Sequence, residues 1–280
     1  MKAPRSRADE VSDYRNDVYY IAKESIMKFN QKIALITGGS RGLGKNMALR
    51  LAAYGADAII TYHSRKDEAD AVVSEMKTYD RRAVAIQLDV ADVPSFDGFM
   101  RQVSSTLKDN WERDRFDFLI NNAGIGARAT IEQTAEETFD SLFNVHFKGV
   151  YFLTQKAIPF INDNGRIINI SSGLTRFTLP GYSAYASMKG AVDTFTKYIA
   201  KELGDSGITA NLVAPGAIET DFTKPAFDAN PQVKEMLASQ TALGRVGVPD
   251  DIGGVVAFLC SEDARWVNGQ RLEVSGGIFL

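Results

Sequence analysis

Short apolar segments alternate with amphipathic segments along almost the whole chain. Most of the apolar segments are continuous runs of Val, Ile and Leu, as in strands that are buried on both faces of a parallel sheet. We predict seven strands, at 32–37, 58–62, 83–87, 116–121, 166–170, 208–214 and 270–274. Helical patterns fall between them, at 43–54, 67–79, 95–109, 136–160, 182–204 and 250–260. This alternation predicts an α/β fold, with one doubly wound parallel sheet and helices on both of its faces.

The composition sets few further limits. The chain has 280 residues, of which 45% are hydrophobic and 24% charged, and its net charge of −3 gives no electrostatic case for binding nucleic acid. No apolar stretch approaches the ~18 residues that a membrane-spanning helix needs. One cysteine and two histidines, without metal-ligand spacing, predict no metal site and fit a reducing, cytoplasmic location.

Residues 1–29 differ from the rest of the chain. They mix six basic with five acidic side chains and contain no apolar core, which argues against a secretory signal. We interpret 1–29 as a peripheral or disordered extension. Because no composition break follows, we interpret 30–280 as a single domain.

The dinucleotide site is predicted from a glycine-rich turn, Thr37–Gly44, between the first strand and the first helix. Glycines let the backbone approach a pyrophosphate, and the helix N-terminus offers free N–H groups to it. The candidate contacts are Gly38, Ser40, Arg41, Gly42, Leu43 and Gly44. Two alternatives stay open: a turn without a ligand, and a nucleoside-triphosphate loop from Gly39 to Lys45. The latter requires Ser or Thr next, where this chain has Asn46.

Other motifs follow the carboxyl ends of the later strands. Asp89 follows the third strand, Asn122–Gly124 the fourth, Ser171 and Ser172 the fifth, and Pro215-Gly216 the sixth. Ligands of a doubly wound sheet bind beyond this edge, so we predict a single site there.

Tyr185 and Lys189 supply the candidate proton chemistry. Four residues apart on a helix, they share one face. A free phenol titrates near pH ~10, and we expect the neighbouring ammonium to lower that pKa. The pair could then move a proton to or from an alkoxide. Ser172, delivered from another segment, could hold the carbonyl oxygen.

The glycine turn, Asn121-Asn122-Ala123-Gly124, Ser172, Tyr185-x-x-x-Lys189 and Pro215-Gly216 together resemble the short-chain dehydrogenase/reductase family. The resemblance covers 32–280 and is closest to NADPH-dependent carbonyl reductases and 3-oxoacyl-carrier-protein reductases. It implies a Rossmann-like fold, a small-molecule carbonyl or alcohol substrate, and a homotetramer or dimer. It also implies that Lys189 binds the nicotinamide ribose and that Asn144 holds a water in a proton relay.

The cofactor is predicted from the end of the second strand. Selectivity for NAD usually requires a carboxylate about 20 positions after the glycine motif. This chain has Tyr62-His63-Ser64-Arg65 there, and Arg41 and Arg65 are placed to bind a 2′-phosphate. We therefore favour NADP(H), with NAD(H) as the alternative. The further predicted cofactor contacts are Tyr62, Ser64, Asp89, Val90, Asn122, Ala123, Gly124, Tyr185, Lys189, Pro215, Gly216, Ile218 and Thr220.

The sequence thus predicts an NADP(H)-dependent oxidoreductase that reduces a ketone or 3-oxoacyl group, with Tyr185 as general acid. The alternatives are an NAD-dependent alcohol, polyol or steroid dehydrogenase and a non-catalytic NADP-binding sensor. We expect 217–248 to be a long loop covering the substrate, His146 to be a packed helix residue, and His63 to lie near the adenosine.

Overall fold

The computed structural model describes residues 29–280. Its single sheet has seven parallel strands in the order β3-β2-β1-β4-β5-β6-β7. Their bounds are β1 Ile33–Ile36, β2 Asp57–Tyr62, β3 Ala83–Gln87, β4 Phe116–Asn121, β5 Ile161–Ile170, β6 Thr209–Pro215 and β7 Arg271–Val274. The predicted fold class is confirmed. The strand order reverses between β1 and β4, where a doubly wound sheet opens a crevice for a ligand.

Helices connect the strands on both faces. They are α1 Gly42–Ala53, α2 Lys66–Lys77, α3 Phe96–Trp111, α4 Glu136–Phe143, α5 Gly149–Ala157, α6 Ser183–Glu202, α7 Lys224–Ala229, α8 Pro231–Ser239 and α9 Asp250–Cys260. One π-helical turn, Asn144–Lys148, joins α4 to α5. Within residues 29–280, no helix combines the length and the apolar character needed to cross a membrane.

The core consists of two apolar layers, one on each face of the sheet. Successive side chains of β1 alternate between them: Ala34 and Ile36 pack with Leu51 of α1, whereas Leu35 packs with Phe99 of α3. This alternation follows from the two-residue period of a strand. It also explains why β1 reads as an uninterrupted apolar run, because both of its faces are covered.

Three predictions about the elements need correction. The stretch 136–160 is not one regular helix, because the π turn interrupts it, and β5 begins at Ile161, five residues before the predicted start at 166. The stretch 217–248 is not only loop, since it contains α7 and α8. Prolines there occupy the first helical turns, and the Asn230 side chain accepts a hydrogen bond from the Gln232 N–H at the start of α8.

The predicted extension lies outside the described residues except for Phe29. That side chain is 4% exposed and packs edge-on against Phe118 of β4. Its backbone N–H donates to the Tyr54 carbonyl at 2.7 Å. Phe29 therefore belongs to the core, and the interpretation of 1–28 stays a prediction.

Candidate active site

The glycine turn between β1 and α1 adopts a conformation that larger residues would disturb. Gly38 has φ +64° and Gly42 has φ +54°, in the left-handed region that favours glycine. A Cβ on Gly44 would lie 2.1 Å from the Gly38 carbonyl oxygen. The turn is therefore a close-packed cradle whose backbone faces the β1/β4 crevice.

In the part of the chain that the structure describes, no side chain caps the N-terminus of α1. Arg41 occupies the N-cap position in an extended conformation and its side chain accepts no capping hydrogen bond. No acidic residue lies in the first turn of α1. Uncapped N–H groups at a helix start bind anions well, so this end of α1 suits a phosphate.

Thr37 and Asn122 join the glycine turn to the end of β4. The Thr37 Oγ1 accepts from the Asn122 and Ala123 N–H groups at 2.9 and 3.0 Å. The Asn122 amide donates to the Thr37 and Gly38 carbonyls at 2.8 and 3.1 Å. Asn122 therefore holds the cradle in place, a structural role beside the cofactor contact predicted for it.

The geometry disfavours the nucleoside-triphosphate alternative. The Asn46 Nδ2 donates to the Asp250 carboxylate of α9. A nucleoside-triphosphate loop would need a hydroxyl at position 46 to bind magnesium. Asn46 instead attaches α1 to α9.

The two arginines predicted to select NADP(H) are both exposed. Arg41 lies 3.9 Å from the Asp221 carboxylate, and Arg65 lies 3.1 Å from the Glu68 carboxylate. Exposed ion pairs of this kind contribute little free energy, so both guanidinium groups can exchange their partner for another anion. The carboxyl end of β2 carries no carboxylate side chain, because the last residue of this strand is Tyr62.

The remaining predicted cofactor residues lie along the same edge of the sheet. Thr220 faces the glycine turn, since the Thr220 Cβ lies 3.7 Å from the place that a Cβ on Gly42 would occupy. Asp89 accepts from the Ala91 N–H at 2.9 Å and lies 3.8 Å from the His63 imidazole. Residues that follow or end a strand there are Tyr62, Ser64, Val90, Ala123, Gly124, Pro215, Gly216 and Ile218. Their cofactor contacts stay predictions.

Ser171 and Ser172 point to different surroundings. The Ser171 hydroxyl is buried and donates to the Asp193 carboxylate at 2.6 Å. The Ser172 Oγ accepts from the Leu174 N–H at 3.2 Å and lies close enough to the Tyr185 phenol to affect its titration. The geometry thus favours Ser172, the serine chosen from the sequence, as the one beside Tyr185.

The predicted lowering of the Tyr185 pKa is wrong for this arrangement. Burial raises the pKa of Tyr185 to about 12 because it penalises the phenolate, and the neighbouring Ser172 hydroxyl offsets only part of this rise. The phenol is therefore protonated at neutral pH. A protonated phenol is the form that can donate a proton.

Lys189 lies on the same face of α6 as Tyr185, as its spacing predicts. Its Nζ is 5.8 Å from the Tyr185 ring centroid and donates to the Ile170 carbonyl at 2.7 Å. Burial lowers the pKa of Lys189 to about 8, although the nearby Asp193 carboxylate opposes that shift. The ammonium form therefore prevails at neutral pH and is lost as the pH rises through about 8.

His146, a residue of the π turn, contacts Tyr185. The imidazole is 1% exposed and packs edge-on against the phenol ring, with 5.0 Å between centroids. Burial, aided by the charge of Lys189, lowers the pKa of His146 to about 3. Asn144 makes no side-chain hydrogen bond to Ser172, Tyr185 or Lys189, so its role in a proton relay stays a prediction. His146 was not among the site residues predicted from the sequence.

A charged network behind Ser172 was also missed. Arg271 of β7 donates to the Ser172 carbonyl at 3.1 Å and to the Asp193 carboxylate at 3.2 Å. Asp193 also accepts from Thr175 at 3.0 Å. These contacts join β7, α6 and the segment after β5, and they fix the backbone that carries Ser172. No local pattern signals a contact between residues 78 or more positions apart.

The site therefore brings a glycine cradle, an uncapped helix start, a protonated phenol, a serine hydroxyl and a buried amine to one edge of a parallel sheet. A sequence model described as Enoyl-(Acyl carrier protein) reductase matches residues 38–278. The chain belongs to the short-chain dehydrogenase/reductase family and is an oxidoreductase.

Relatives match over nearly their whole length. An uncharacterized oxidoreductase of Methylorubrum extorquens is 39% identical over 251 residues, which cover 90% of this chain and 99% of that protein. The 3-oxoacyl-[acyl-carrier-protein] reductase FabG of Staphylococcus aureus is 37% identical over 89% of this chain and 98% of its own length. Among solved structures, the angucycline C-6 ketoreductase LanV with bound NADP has a TM-score of 0.84 and 36% identity, covering 89% of this chain and 95% of LanV.

Proposed function

We propose that this chain reduces a ketone to a secondary alcohol with NADP(H), and that Tyr185 is the general acid. The observation that carries the proposal is the protonated Tyr185 phenol beside Ser172, at the same sheet edge as the glycine cradle. The ketoreductase and 3-oxoacyl reductase activities of the relatives support the same reaction type.

The residues present fit a dinucleotide. The Gly38–Gly44 cradle and the uncapped start of α1 suit its pyrophosphate, and the exposed guanidinium groups of Arg41 and Arg65 suit a 2′-phosphate. The NADP bound in the LanV structure supports NADP(H) over NAD(H). When bound, this cofactor supplies the hydride, and the chain supplies orientation and the proton.

Each polar side chain near the substrate has a distinct role. Because the Ser172 Oγ accepts from the Leu174 N–H, its own hydrogen is free to donate to the substrate carbonyl oxygen. Tyr185 then gives its O–H proton to the developing alkoxide. Lys189, positively charged near neutral pH, stabilises the resulting phenolate. The proton consumed in each turnover comes from solvent.

The mouth of the site favours an apolar ketone. Ile125 and Phe222 are large apolar side chains with exposed fractions of 40% and 52%, and the Phe222 ring lies 3.1 Å from where a Gly126 Cβ would be. This contact brings the segment after β6 against the segment after β4. Together they form an apolar wall beside the crevice, which suits a hydrophobic substrate.

A substrate delivered on a carrier protein would need a basic entrance. The candidates for it are Arg128, after β4, and Arg176, after β5, and both have other contacts. Arg176 donates to the Phe279 carbonyl at 3.2 Å and lies 3.5 Å from the Glu273 carboxylate. The Arg128 guanidinium lies over the Tyr182 ring, 6.0 Å from its centroid. We therefore favour a free ketone over a carrier-bound 3-oxoacyl group.

NADPH oxidation tests the proposal. Purified protein is assayed with a panel of cyclic, aryl and linear ketones and a 3-oxoacyl thioester, first with NADPH and then with NADH. We expect turnover of at least one apolar ketone, with a higher kcat/KM for NADPH. NADPH binding without turnover of any ketone would support a sensor, and a preference for NADH with oxidation of alcohols would support a dehydrogenase.

A further inference from the structure

His146 is the most completely buried titratable side chain in contact with Tyr185. It lies on the π turn, and a fifth residue in such a turn displaces the side chains that follow from the regular helical positions. Its ring meets the Tyr185 ring edge-on, and a Cβ on Gly124 would lie only 2.8 Å from its Cε1. The imidazole is thus fixed between the end of β4 and the face of α6.

The hydrogen bonds of the ring define its tautomer. Its Nε2 lies 2.7 Å from the Ile125 carbonyl oxygen and 3.3 Å from the Ile125 backbone nitrogen. The shorter contact is the stronger one, and it is a hydrogen bond only if Nε2 carries the hydrogen. In a neutral imidazole the other nitrogen, Nδ1, is then an acceptor. That Nδ1 is buried and has no hydrogen-bond partner among the described residues. A buried acceptor without a donor costs free energy, so the site is built for a donor at this nitrogen.

Lys189 is the neighbouring group with donors to spare. One N–H of its ammonium goes to the Ile170 carbonyl, which leaves two. Its charge is close enough to oppose protonation of His146. The titratable groups facing this pair are Tyr185, Tyr182 and Asp193, and the Asp193 carboxylate opposes the effect of burial on the Lys189 pKa.

We propose that His146 is a positioning residue for the reduction. Its ring fixes the phenol of Tyr185, and its neutral Nδ1 accepts a hydrogen bond from one water that the Lys189 ammonium in turn binds. The acceptor favours the charged form of Lys189, which the mechanism requires. This inference rests on the proposed function for its kinetic consequences, but the hydrogen bond itself can be observed without turnover.

The direct test is ¹⁵N NMR of histidine-labelled protein with NADP⁺ bound, with His146 assigned by its absence from the His146→Asn spectrum. We expect a protonated Nε2 and an Nδ1 that accepts a hydrogen bond, and we expect the Nδ1 signal to move towards that of a free acceptor in Lys189→Met. A protonated Nδ1, or an Nδ1 signal unchanged by Lys189→Met, would overturn the proposal. The NMR result holds whether or not a ketone substrate has been found.

The kinetic test compares His146→Asn, which keeps an acceptor, with His146→Leu, which has none. Loss of a hydrogen bond to a charged group corresponds to about a 10- to 100-fold loss, so we expect kcat to fall by that factor in the Leu variant and by less than about 5-fold in the Asn variant. The KM for NADPH should change by less than about twofold. We also expect the fall in kcat at high pH to begin at a lower pH in the Leu variant. Without the acceptor, the ammonium form of Lys189 is less favoured, so the pKa of Lys189 falls.

Thr209→Val is the matched control. Thr209 also has a buried hydroxyl without a partner within residues 29–280, but it lies at the start of β6, at the opposite edge of the sheet. We expect its kcat and pH profile to equal those of the wild type. Equal kcat values and overlapping pH profiles for His146→Leu and Thr209→Val would contradict a positioning role. If His146→Leu does not fold, the pH profile of His146→Asn and the NMR signal decide whether His146 is a positioning residue. Activity retained in Tyr185→Phe is a separate outcome, which would refute the proposed function itself.

Discussion

Burial of a neutral imidazole makes the fold sensitive to acid in a way that can be calculated. The pKa of His146 is about 3 in the folded protein, against about 6.5 for a free histidine. Between these values the unfolded chain binds the proton and the folded protein does not, so acidification favours unfolding. The contribution is absent above pH ~7 and grows by about 1.4 kcal/mol for each pH unit below 6.5.

The predicted magnitude at pH 5 follows directly. Relative to pH 7.5, the folded state loses about 2 kcal/mol at His146, because the two states differ in proton affinity by more than a factor of 10³. A variant without an imidazole does not incur this loss. We therefore expect the difference in unfolding free energy between His146→Phe and the wild type to move by about 2 kcal/mol in favour of the variant between these pH values.

Urea denaturation at several pH values measures this difference. Titrating groups that do not interact with His146 are common to both proteins and cancel, so the comparison reports on His146 and its coupling to Lys189. Val145→Ala, a change at the neighbouring buried apolar residue, controls for lost packing and should give a difference that does not vary with pH. A wild-type-to-Phe difference that stays constant within about 0.5 kcal/mol would refute the reasoning from burial.

Three further predictions concern the cradle, the cofactor and the amine. Gly44→Ala should destabilise the protein by more than about 2 kcal/mol in thermal unfolding, since the new Cβ would lie 2.1 Å from a carbonyl oxygen. Gly254→Ala is the control: no atom lies within 4 Å of the new Cβ, so this change should be neutral or stabilising. Replacing Arg41 and Arg65 together by Ala should weaken NADPH binding by about 10-fold or more and leave NADH binding almost unchanged in a fluorescence titration; equal losses for both would contradict their role. Because the pKa of Lys189 is about 8, kcat for ketone reduction should fall as the pH rises through that value, and a rate that increases from pH 7 to 9 would argue against a charged amine.

The strands could be predicted because burial on both faces removes polar positions from them. β3 and β4 have the predicted bounds, and the others agree within one residue except at the start of β5. The convergence of the glycine turn, Ser172 and Pro215 also follows from topology alone, since all parallel strands end at one edge.

The errors have specific physical causes. The prediction of a long loop at 217–248 is wrong because the prolines there fit the first turn of a helix, where the missing N–H costs nothing. The π turn leaves an apolar periodicity much like that of a regular helix, so no local pattern indicates that His146 faces Tyr185. The direction of the Tyr185 pKa shift depends on burial, which the spacing to Lys189 does not reveal.

The homotetramer or dimer suggested by the resemblance stays a prediction. Tyr151 and Phe195 stack on each other with 4.5 Å between ring centroids, and Tyr151 is 40% exposed, so an apolar surface is available on α5 and α6. Sedimentation equilibrium of the full chain, over a range of concentrations, would determine the oligomeric state.

Tyr185→Phe tests the central claim most directly, because it removes one oxygen atom and keeps the ring that packs against His146. Single-turnover reduction by enzyme preloaded with NADPH reports on the proton donor, and a parallel fluorescence titration reports on cofactor affinity. We predict a loss of about 10²-fold or more in the rate of reduction, with NADPH affinity within about twofold of the wild type. A variant that reduces the ketone at the wild-type rate would contradict the account.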